Sequence, residues 1–254
     1  MRLFDLKGRV AIVTGGNGGI GLGMAEGLAE AGAALVLAGR DKEKARNAQA
    51  RIEALGARCR FVAADVTDGA SCQGLIAETR SAFGRLDILV NNGGTSIRKM
   101  PQDYTEAEWR HVLDTNLTSA FFCSQAAYPA MMEAGGGKII NIGSMMSIFG
   151  APYATPYAAS KGAIVQMTRA LATAWARDNI QVNAVLPGWI DTDLTRRARV
   201  EVDGLHERVE ARTPAGRWGV PADMAGIAVF LAGAGSDFVT GTAIPVDGGF
   251  SVGT

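Results

Sequence analysis

The sequence predicts an α/β fold: a doubly wound parallel sheet of about seven strands with helices on both faces. Three observations predict it: short apolar runs alternate with stretches of helical periodicity, a glycine-rich loop follows the first run, and polar residues follow several later runs. The apolar runs lie near residues 10–13, 34–38, 60–63, 86–90, 138–142, 180–185 and 243–246. The 254 residues contain no repeat and no composition shift that would mark a linker. We therefore expect residues 1–254 to form a single domain.

A glycine-rich loop, residues 14–21, lies between the first strand and the first helix. Glycine lets the backbone adopt positive φ and approach a ligand closely, and the following helix offers free N–H groups to a pyrophosphate. The loop therefore predicts a dinucleotide site, with a flexible glycine turn as the alternative. Two spacings fit the loop: G-x-G-x-x-G at Gly16, Gly18 and Gly21, and T-G-x-x-x-G-x-G at Thr14, Gly15, Gly19 and Gly21.

The second strand, residues 34–38, should end near the residue that contacts the adenosine ribose. An acidic residue there would favour NAD, but Gly39 occupies the place and Arg40 follows it. A guanidinium can bind a 2′-phosphate through two hydrogen bonds, so we expect NADP to be preferred, with NAD possible. The alternative is a solvated arginine that pairs with Asp41.

Polar or turn-forming residues follow the third to sixth strands. They are Asp65-Val66, Asn91-Asn92-Gly93-Gly94, Ser144 and Pro187-Gly188. The carboxyl ends of parallel strands meet at one edge of a sheet, where α/β proteins bind their ligands. Each residue taken singly could be a helix cap or a turn former. Their shared position predicts one continuous site.

Tyr157 and Lys161 lie four residues apart in a stretch with helical character. A helix places such residues on one face, within mutual reach. An ammonium held about 4 Å from a phenol, at an effective dielectric of about 20, could lower the phenol pKa from about 10 to about 7. The pair is therefore predicted to exchange protons near neutral pH, although such a spacing also arises by chance.

The composition excludes several classes of function. Lys+Arg and Asp+Glu both number 25 and no long basic stripe occurs, so neither nucleic acid nor an anionic membrane is an expected partner. No apolar stretch could span a bilayer and the N-terminus lacks a signal peptide, so a cytoplasmic location is expected. Cys59, Cys72 and Cys123 show no C-x-x-C spacing, and His111 and His206 show no metal-ligand spacing, so no metal site is predicted.

Together these motifs resemble the short-chain dehydrogenase/reductase family, which has a Rossmann-type fold. The resemblance extends from residue 7 to residue 249 and thus covers nearly the whole chain. The family's catalytic tetrad matches Asn116, Ser144, Tyr157 and Lys161. The resemblance implies that Tyr157 transfers the proton while Lys161 lowers its pKa and binds the nicotinamide ribose. It also implies that Ser144 orients the substrate oxygen and that Asn116 holds a water.

The resemblance also implies which residues contact the cofactor. The pyrophosphate is expected at the glycine-rich loop, the adenosine at the ends of the third and fourth strands, and the nicotinamide at the end of the sixth. With Arg40 included, the expected contacts are Gly15, Asn17, Gly19, Ile20, Gly21, Arg40, Asp65, Val66, Asn92, Gly93, Tyr157, Lys161, Pro187, Ile190 and Thr192. The family's usual N-N-A-G is here N-N-G-G at residues 91–94, which removes one methyl group.

Substrate specificity is expected to depend on three walls: residues 96–100, residues 145–153, and a mobile lid at about 189–217. Within the family, the sequence is most similar to bacterial sugar-acid dehydrogenases of the 2-deoxy-D-gluconate 3-dehydrogenase and gluconate 5-dehydrogenase type. Arg98 and Lys99 would suit a carboxylate substrate, or they could be solvated surface cations.

Two other functions are open at this point. One is 3-oxoacyl-carrier-protein reductase, with Arg98, Lys99 or the pair Arg196 and Arg197 meeting the carrier protein. The other, more remote, is a non-catalytic dinucleotide-sensing module, which would not need the full tetrad. The partner expected for either enzyme is a small-molecule alcohol or ketone.

The resemblance also implies a homotetramer. Residues 119–132 and the helix that runs from Tyr157 to Trp175 are too apolar to be solvated on every face. On the family's pattern, these helices pack against symmetry mates and residues 243–250 form a second contact.

Overall fold

The protein, described over residues 2–253 by a computed structural model, folds around one seven-stranded parallel sheet. The strands are Val10–Thr14 (β1), Ala34–Gly39 (β2), Cys59–Ala63 (β3), Ile88–Asn91 (β4), Gly137–Ile142 (β5), Ile180–Pro187 (β6) and Ala243–Val246 (β7). Their order in the sheet is β3-β2-β1-β4-β5-β6-β7, with all six pairings parallel. This confirms the predicted doubly wound sheet.

Helices connect the strands, and several begin at a side-chain cap. The helices are Gly19–Glu30 (α1), Lys42–Ala54 (α2), Gly69–Phe83 (α3), Glu106–Leu113 (α4), Ser119–Glu133 (α5), Thr155–Trp175 (α6), Asp193–Glu201 (α7), Leu205–Arg212 (α8) and Ala225–Ala232 (α9). Asp41 accepts hydrogen bonds from the second and third N–H groups of α2, Asp68 does the same for α3, and Thr105 forms a capping box with Glu108 on α4. Among residues 2–253, no helix combines the length and apolar character needed to cross a bilayer.

The sheet separates two apolar layers because successive side chains of a strand point to opposite faces. In β1, Ala11 and Val13 pack with α1, α2 and α9, whereas Ile12 packs with α3, α5 and α6. Strand β1 is buried along its whole length, and the same holds for β4, β5 and β6. This two-sided burial explains why the central strands read as continuous apolar runs.

The order of the strands reverses between β1 and β4, since the chain first builds β1, β2 and β3 outward and then returns to place β4 on the other side of β1. Crossovers leave this point in opposite directions, and a crevice opens beyond the carboxyl ends of the two strands. The end of β1 and the segment after β4 therefore meet, although 78 residues separate Thr14 from Asn92. That edge of the sheet carries the candidate site.

Candidate active site

A cavity of about 380 Å³ lies beyond the carboxyl ends of β1, β4, β5 and β6. It runs from the glycine-rich loop at one end to Tyr157 and Arg98 at the other, and its surface is more apolar than polar. The predicted residues that line it are Gly15, Asn17, Gly19, Ile20, Asn92, Gly93, Ser144, Tyr157, Lys161, Pro187, Ile190 and Thr192. The predicted residues outside its lining are Gly21, Arg40, Asp65, Val66 and Asn116.

The conformation of the glycine-rich loop distinguishes the two spacings. Gly15 and Gly19 have φ values of +62° and +51°, in the left-handed region that L side chains rarely adopt. A Cβ on Gly21 would lie 2.4 Å from Asn92 Nδ2 and 2.5 Å from the Gly15 carbonyl oxygen, whereas a Cβ on Gly18 would meet nothing within 4 Å. A Cβ on Gly16 would lie 2.9 Å from the Val13 carbonyl oxygen, so Gly16 is confined as well. Of the two spacings, T-G-x-x-x-G-x-G is the one whose glycines, at 15, 19 and 21, are all required by the loop. Because α1 begins at Gly19, its first N–H groups lie beside the cavity.

Thr14 joins the glycine-rich loop to the segment after β4. Its hydroxyl accepts hydrogen bonds from the N–H groups of Asn92 and Gly93, each at 3.0 Å, and donates to the Val90 carbonyl at 3.3 Å. Sequence analysis placed Thr14 in the motif but gave it no role. Asn92 completes the contact, since its Nδ2 donates to the carbonyls of Thr14 at 3.0 Å and Gly15 at 3.2 Å. The Asn92 side chain thus holds the loop in shape.

The end of β2 places Gly39 beside Asn17, whose Nδ2 donates to the Asp41 carbonyl at 3.3 Å. Arg40 is exposed over 72% of its side chain, and its guanidinium lies 4.0 Å from the Asp65 carboxylate. The alternative that Asp41 partners Arg40 is wrong, because the Asp41 carboxylate caps α2. Hydrogen bonds from the Thr67 hydroxyl and N–H hold the pKa of Asp65 below its usual value. Arg40 is thus free to turn toward a ligand.

Lys44 is a cavity residue that sequence analysis missed. It lies on the first turn of α2, and its Nζ forms a 2.8 Å ion pair with Asp193 at the start of α7. No local motif marks it, because the contact joins segments 149 residues apart. The pair connects the cofactor end of the cavity to the predicted lid.

Tyr157 and Lys161 lie on the first half of α6 and both line the cavity. Ser144 faces them from the end of β5, where its hydroxyl accepts a hydrogen bond from the Met146 N–H at 3.1 Å. Ser147 ties the two elements together. Its hydroxyl accepts from the Ser144 N–H at 3.2 Å and donates to the Lys161 carbonyl at 2.7 Å.

The charge states of this pair differ from the expectation based on spacing. Burial raises the pKa of Tyr157, and the Ser144 hydroxyl and the Arg98 charge oppose that rise only in part. Burial also lowers the pKa of Lys161 to about 8. The Lys161 ammonium lies 5.7 Å from the centre of the Tyr157 ring and donates to the Ile142 carbonyl at 2.7 Å. The predicted Tyr157 pKa near neutral pH is therefore wrong for the chain alone, because burial outweighs any lowering by Lys161, whose ammonium is directed to a backbone carbonyl.

Asn116 lies in a short π-helical turn, Asp114–Thr118, between α4 and α5. Its Oδ1 accepts from the Thr95 N–H at 2.7 Å, and its Nδ2 donates to the Thr95 carbonyl and to Ser160 Oγ, both at 3.0 Å. Ser160 in turn donates to the Tyr157 carbonyl at 2.7 Å. The buried Asn116 side chain thus links the segment after β4 to the backbone of the helix that carries Tyr157. Sequence analysis did not single out Ser160.

The two basic residues at the mouth of the cavity have different surroundings. Arg98 lines the cavity, and its Nη1 donates to Glu201 Oε2 at 2.7 Å. Lys99 is absent from the lining and its ammonium pairs with Glu108 on α4. The segment predicted as a lid contains α7 and α8, and its ends are joined by a parallel bridge between Ile190 and Gly219. Glu201 is the last residue of α7, and α7 belongs to this predicted lid, so Arg98 contacts the lid through Glu201.

The fold and the cavity define the class of dinucleotide-dependent α/β oxidoreductases. A family model described as "Enoyl-(Acyl carrier protein) reductase" matches residues 15–251. Solved structures that are at least a third identical in sequence over nearly the whole chain include short-chain dehydrogenases. The chain belongs to the short-chain dehydrogenase/reductase family.

Three relatives illustrate the similarity. A 2-dehydro-3-deoxy-D-gluconate 5-dehydrogenase from Dickeya dadantii (strain 3937) is 42% identical over 98% of each chain. The crystal structure of a gluconate 5-dehydrogenase from Burkholderia cenocepacia J2315, in complex with NADP and tartrate, is 40% identical with a TM-score of 0.94, covering 100% of this chain and 99% of that one. A short-chain type dehydrogenase/reductase from Mycobacterium marinum is 34% identical over 98% of each chain, with a TM-score of 0.94.

Proposed function

We propose that the protein is an NADP-preferring oxidoreductase that interconverts a secondary alcohol and a ketone of a sugar acid, such as a keto-gluconate. The observation that carries the proposal is one cavity with a glycine-rich loop at one end and Ser144, Tyr157 and Lys161 at the other. The similarity to a 2-dehydro-3-deoxy-D-gluconate 5-dehydrogenase and a gluconate 5-dehydrogenase supports the substrate class.

The residues of the cavity fit a nicotinamide dinucleotide. Gly15 and Gly19 leave the loop backbone open to a pyrophosphate, and the first N–H groups of α1 supply hydrogen-bond donors there. Pro187, Ile190 and Thr192 would contact the nicotinamide end from the segment after β6. When bound, the nicotinamide supplies the acceptor or donor of the hydride.

Tyr157 is the proposed proton donor for ketone reduction. Its raised pKa keeps the phenol protonated near neutral pH, which is the form that reduction requires. Ser144, across the cavity, would hold the substrate oxygen toward that phenol. Lys161 has a pKa of about 8, so its ammonium persists up to about that pH. The ammonium would bind a ribose hydroxyl and stabilise the phenolate left after proton transfer. Asn116 is proposed to position Tyr157 through Ser160.

Arg40 supports the NADP preference. Gly39 leaves no carboxylate at the end of β2, and the exposed Arg40 side chain can turn to bind a 2′-phosphate. The related gluconate 5-dehydrogenase structure contains NADP. Asp65 and Val66 would lie on the adenine side.

Arg98 supports a substrate with a carboxylate. Its guanidinium is the basic group of the pair 98–99 that faces the cavity, whereas Lys99 faces α4. A 3-oxoacyl-carrier-protein reductase is the alternative, and the same activity screen tests it.

The test is a screen of NADPH oxidation and NADP reduction with keto-gluconates, gluconate, neutral polyols and acetoacetyl thioesters. We expect turnover of sugar acids. Tyr157→Phe should lower kcat by about 10²- to 10⁴-fold while NADPH still binds, because the variant lacks only the hydroxyl group that donates the proton. Turnover of acetoacetyl thioesters alone would replace the proposal by the carrier-protein alternative. A Phe variant with more than about a tenth of the wild-type kcat would remove Tyr157 from its role.

We also propose that residues 1–254 act as one catalytic domain in a homotetramer with a cytoplasmic location. Helix α5 supports the tetramer, since four of its five exposed positions, 121, 125, 129 and 132, form one stripe that includes Phe121 and Met132. Phe238, just before β7, is fully exposed and supports a second contact. The free state of Cys59, Cys72 and Cys123 supports a reducing compartment.

A further inference from the structure

An ion pair joins Arg98, in the wall of the cavity, to Glu201 in the predicted lid. Arg98 follows β4 and lines the cavity, whereas Glu201 ends α7 and is not among the lining residues. Arg98 Nη1 donates to Glu201 Oε2 at 2.7 Å, across 103 residues of sequence. The pair thus joins the lid to a side chain of the cavity wall.

The two partners are held unequally. The Arg98 side chain is exposed over only 13% of its surface, whereas that of Glu201 is exposed over 49%. Within residues 2–253, Arg98 makes this one side-chain hydrogen bond, so the other N–H groups of its guanidinium can bind a second acceptor. Arg98 is therefore a fixed cation in the cavity wall, and Glu201 is a partner that can leave for solvent.

We propose that Glu201 competes with the substrate carboxylate for Arg98, and that it thereby sets the preference of the enzyme for acids over neutral sugars. This inference rests on the proposed function, since it assigns Arg98 and Glu201 to the carboxylate end of a sugar-acid substrate. The Glu201 carboxylate neutralises much of the Arg98 charge while the substrate is absent. A substrate acid has to displace it or bind beside it against the repulsion of a like charge.

Exchange of one carboxylate for another also couples the lid to the substrate. Loss of the Arg98 contact removes the ion pair that ties the last residue of α7 to the cavity wall, while Arg199 still packs on Trp218 and Asp193 still pairs with Lys44. A neutral substrate has no group that competes for Arg98 and leaves the pair in place. Glu201 is therefore a specificity-determining residue.

Glu201→Gln is the direct test, because it removes the charge and keeps the size of the side chain. The KM for a sugar acid should fall by about threefold to tenfold, in line with the loss of one partly solvated ion-pair competitor, while kcat/KM for a neutral polyol stays unchanged. Glu207→Gln is the matched control, since it removes an exposed carboxylate on α8 of the same lid. Arg98→Met should raise the KM for acids and abolish the effect of Glu201→Gln in the double variant.

Calorimetric titration with tartrate, a dicarboxylate, in the presence of NADPH separates this inference from the proposed function, because the reduced cofactor cannot accept a hydride from the tartrate alcohols. Tighter tartrate binding to Glu201→Gln than to wild type, with Glu207→Gln unchanged, supports the competition even if no sugar acid is turned over; that absence of turnover would overturn only the proposed function. An unchanged or weaker affinity for tartrate overturns the competition, and so does an unchanged or higher KM for acids. Absence of tartrate binding to every variant overturns it as well.

Discussion

Burial sets the charge states of Tyr157 and Lys161 more than their attraction for each other does. The pKa of the Tyr157 phenol is raised and the pKa of the Lys161 ammonium is lowered, as expected for groups that lose contact with water. The ammonium donates to the Ile142 carbonyl at the end of β5, which holds it beside the phenol without a direct hydrogen bond. Both groups are consequently protonated at neutral pH, which favours ketone reduction.

The pH dependence of reduction follows from the pKa of Lys161. Because this pKa lies at about 8, the ammonium is present below that pH and is lost above it, while the phenol keeps its proton throughout. We expect kcat/KM for ketone reduction to be constant below the pKa and then to fall by up to about tenfold per pH unit. Steady-state kinetics with NADPH would measure this profile. A flat profile up to pH of about 10 would contradict it.

Lys161→Arg provides the control for this profile, since a guanidinium keeps its charge over the whole range. Its residual activity should not fall at high pH. A decline at the same pH in this variant would assign the titration to another group.

At the scale of a single side chain, Arg40 is the residue proposed to determine cofactor preference. Arg40→Asp should lower the ratio of kcat/KM for NADP over NAD by about tenfold to hundredfold, because a charge-assisted contact is worth about 1.5–3 kcal/mol and the new carboxylate repels the 2′-phosphate. Arg46→Asp, an equal change of charge one turn along α2, should leave the ratio near that of wild type. Wild-type enzyme that uses NAD as well as NADP would contradict the assignment.

The glycine-rich loop shows how an element depends on a distant segment. Gly21 has to be glycine because the Asn92 side chain and the Gly15 carbonyl occupy the space of a Cβ. The Asn92 side chain is there because β4 lies beside β1 and Thr14 binds the N–H groups that follow β4. The conformation of the loop is therefore set by the switch point of the sheet as well as by the local sequence.

Two alanine substitutions in this loop should have very different effects. Gly21→Ala should lower NADPH affinity by more than about tenfold, since the new methyl displaces Asn92 or the loop backbone. Gly18→Ala should lower NADPH affinity less, because Gly18 is extended at φ −178° and a Cβ there would meet no protein atom within 4 Å, so only a contact with the cofactor itself could weaken binding. Titration of NADPH fluorescence measures both. Equal losses in the two variants would contradict the T-G-x-x-x-G-x-G assignment.

Elements and motif positions could be predicted from the sequence because their signals are local. Apolar runs located all seven strands, and the chain position just after each strand located Ser144 and Pro187 at the correct edge. Contacts between distant segments could not be predicted in this way. The pairing of Lys44 with Asp193, and of Arg98 with Glu201, depends on how the lid folds back over the sheet. The direction of Lys161 toward Ile142 depends on the packing of α6 against β5 and β6.

At the scale of the whole molecule, the sheet and the segments on its surface contribute different parts of the cavity. The central strands β1, β4, β5 and β6 are buried and end at the cavity, whereas the predicted lid and the residues after β4 contribute side chains to its wall. Helix α6 belongs to both parts, because it carries Tyr157 and Lys161 at its N-terminal half and packs on β6 along its length. Anything that braces α6 from outside therefore stabilises the site.

The proposed tetramer would provide such a brace, and it can be tested by mass. Light scattering at micromolar concentration should report about four times the chain mass of 26.5 kDa. Phe121→Lys on α5 and Phe238→Lys before β7 should each reduce the assembly to a dimer, because each places a charge in one of the two proposed contacts. Leu55→Lys, at an exposed apolar position after α2, is the control that should remain tetrameric.

Activity measured on the same samples tests the bracing of α6. The dimer from Phe121→Lys should lose kcat and thermal stability, because α5 contacts the helix that holds Tyr157 through Tyr128 and Trp175, whose ring centroids lie 5.0 Å apart. The dimer from Phe238→Lys should keep both, since its contact lies at the far edge of the sheet. A wild-type monomer with full activity would contradict the tetramer and the bracing together, and equal activity of the two dimers would contradict the bracing alone.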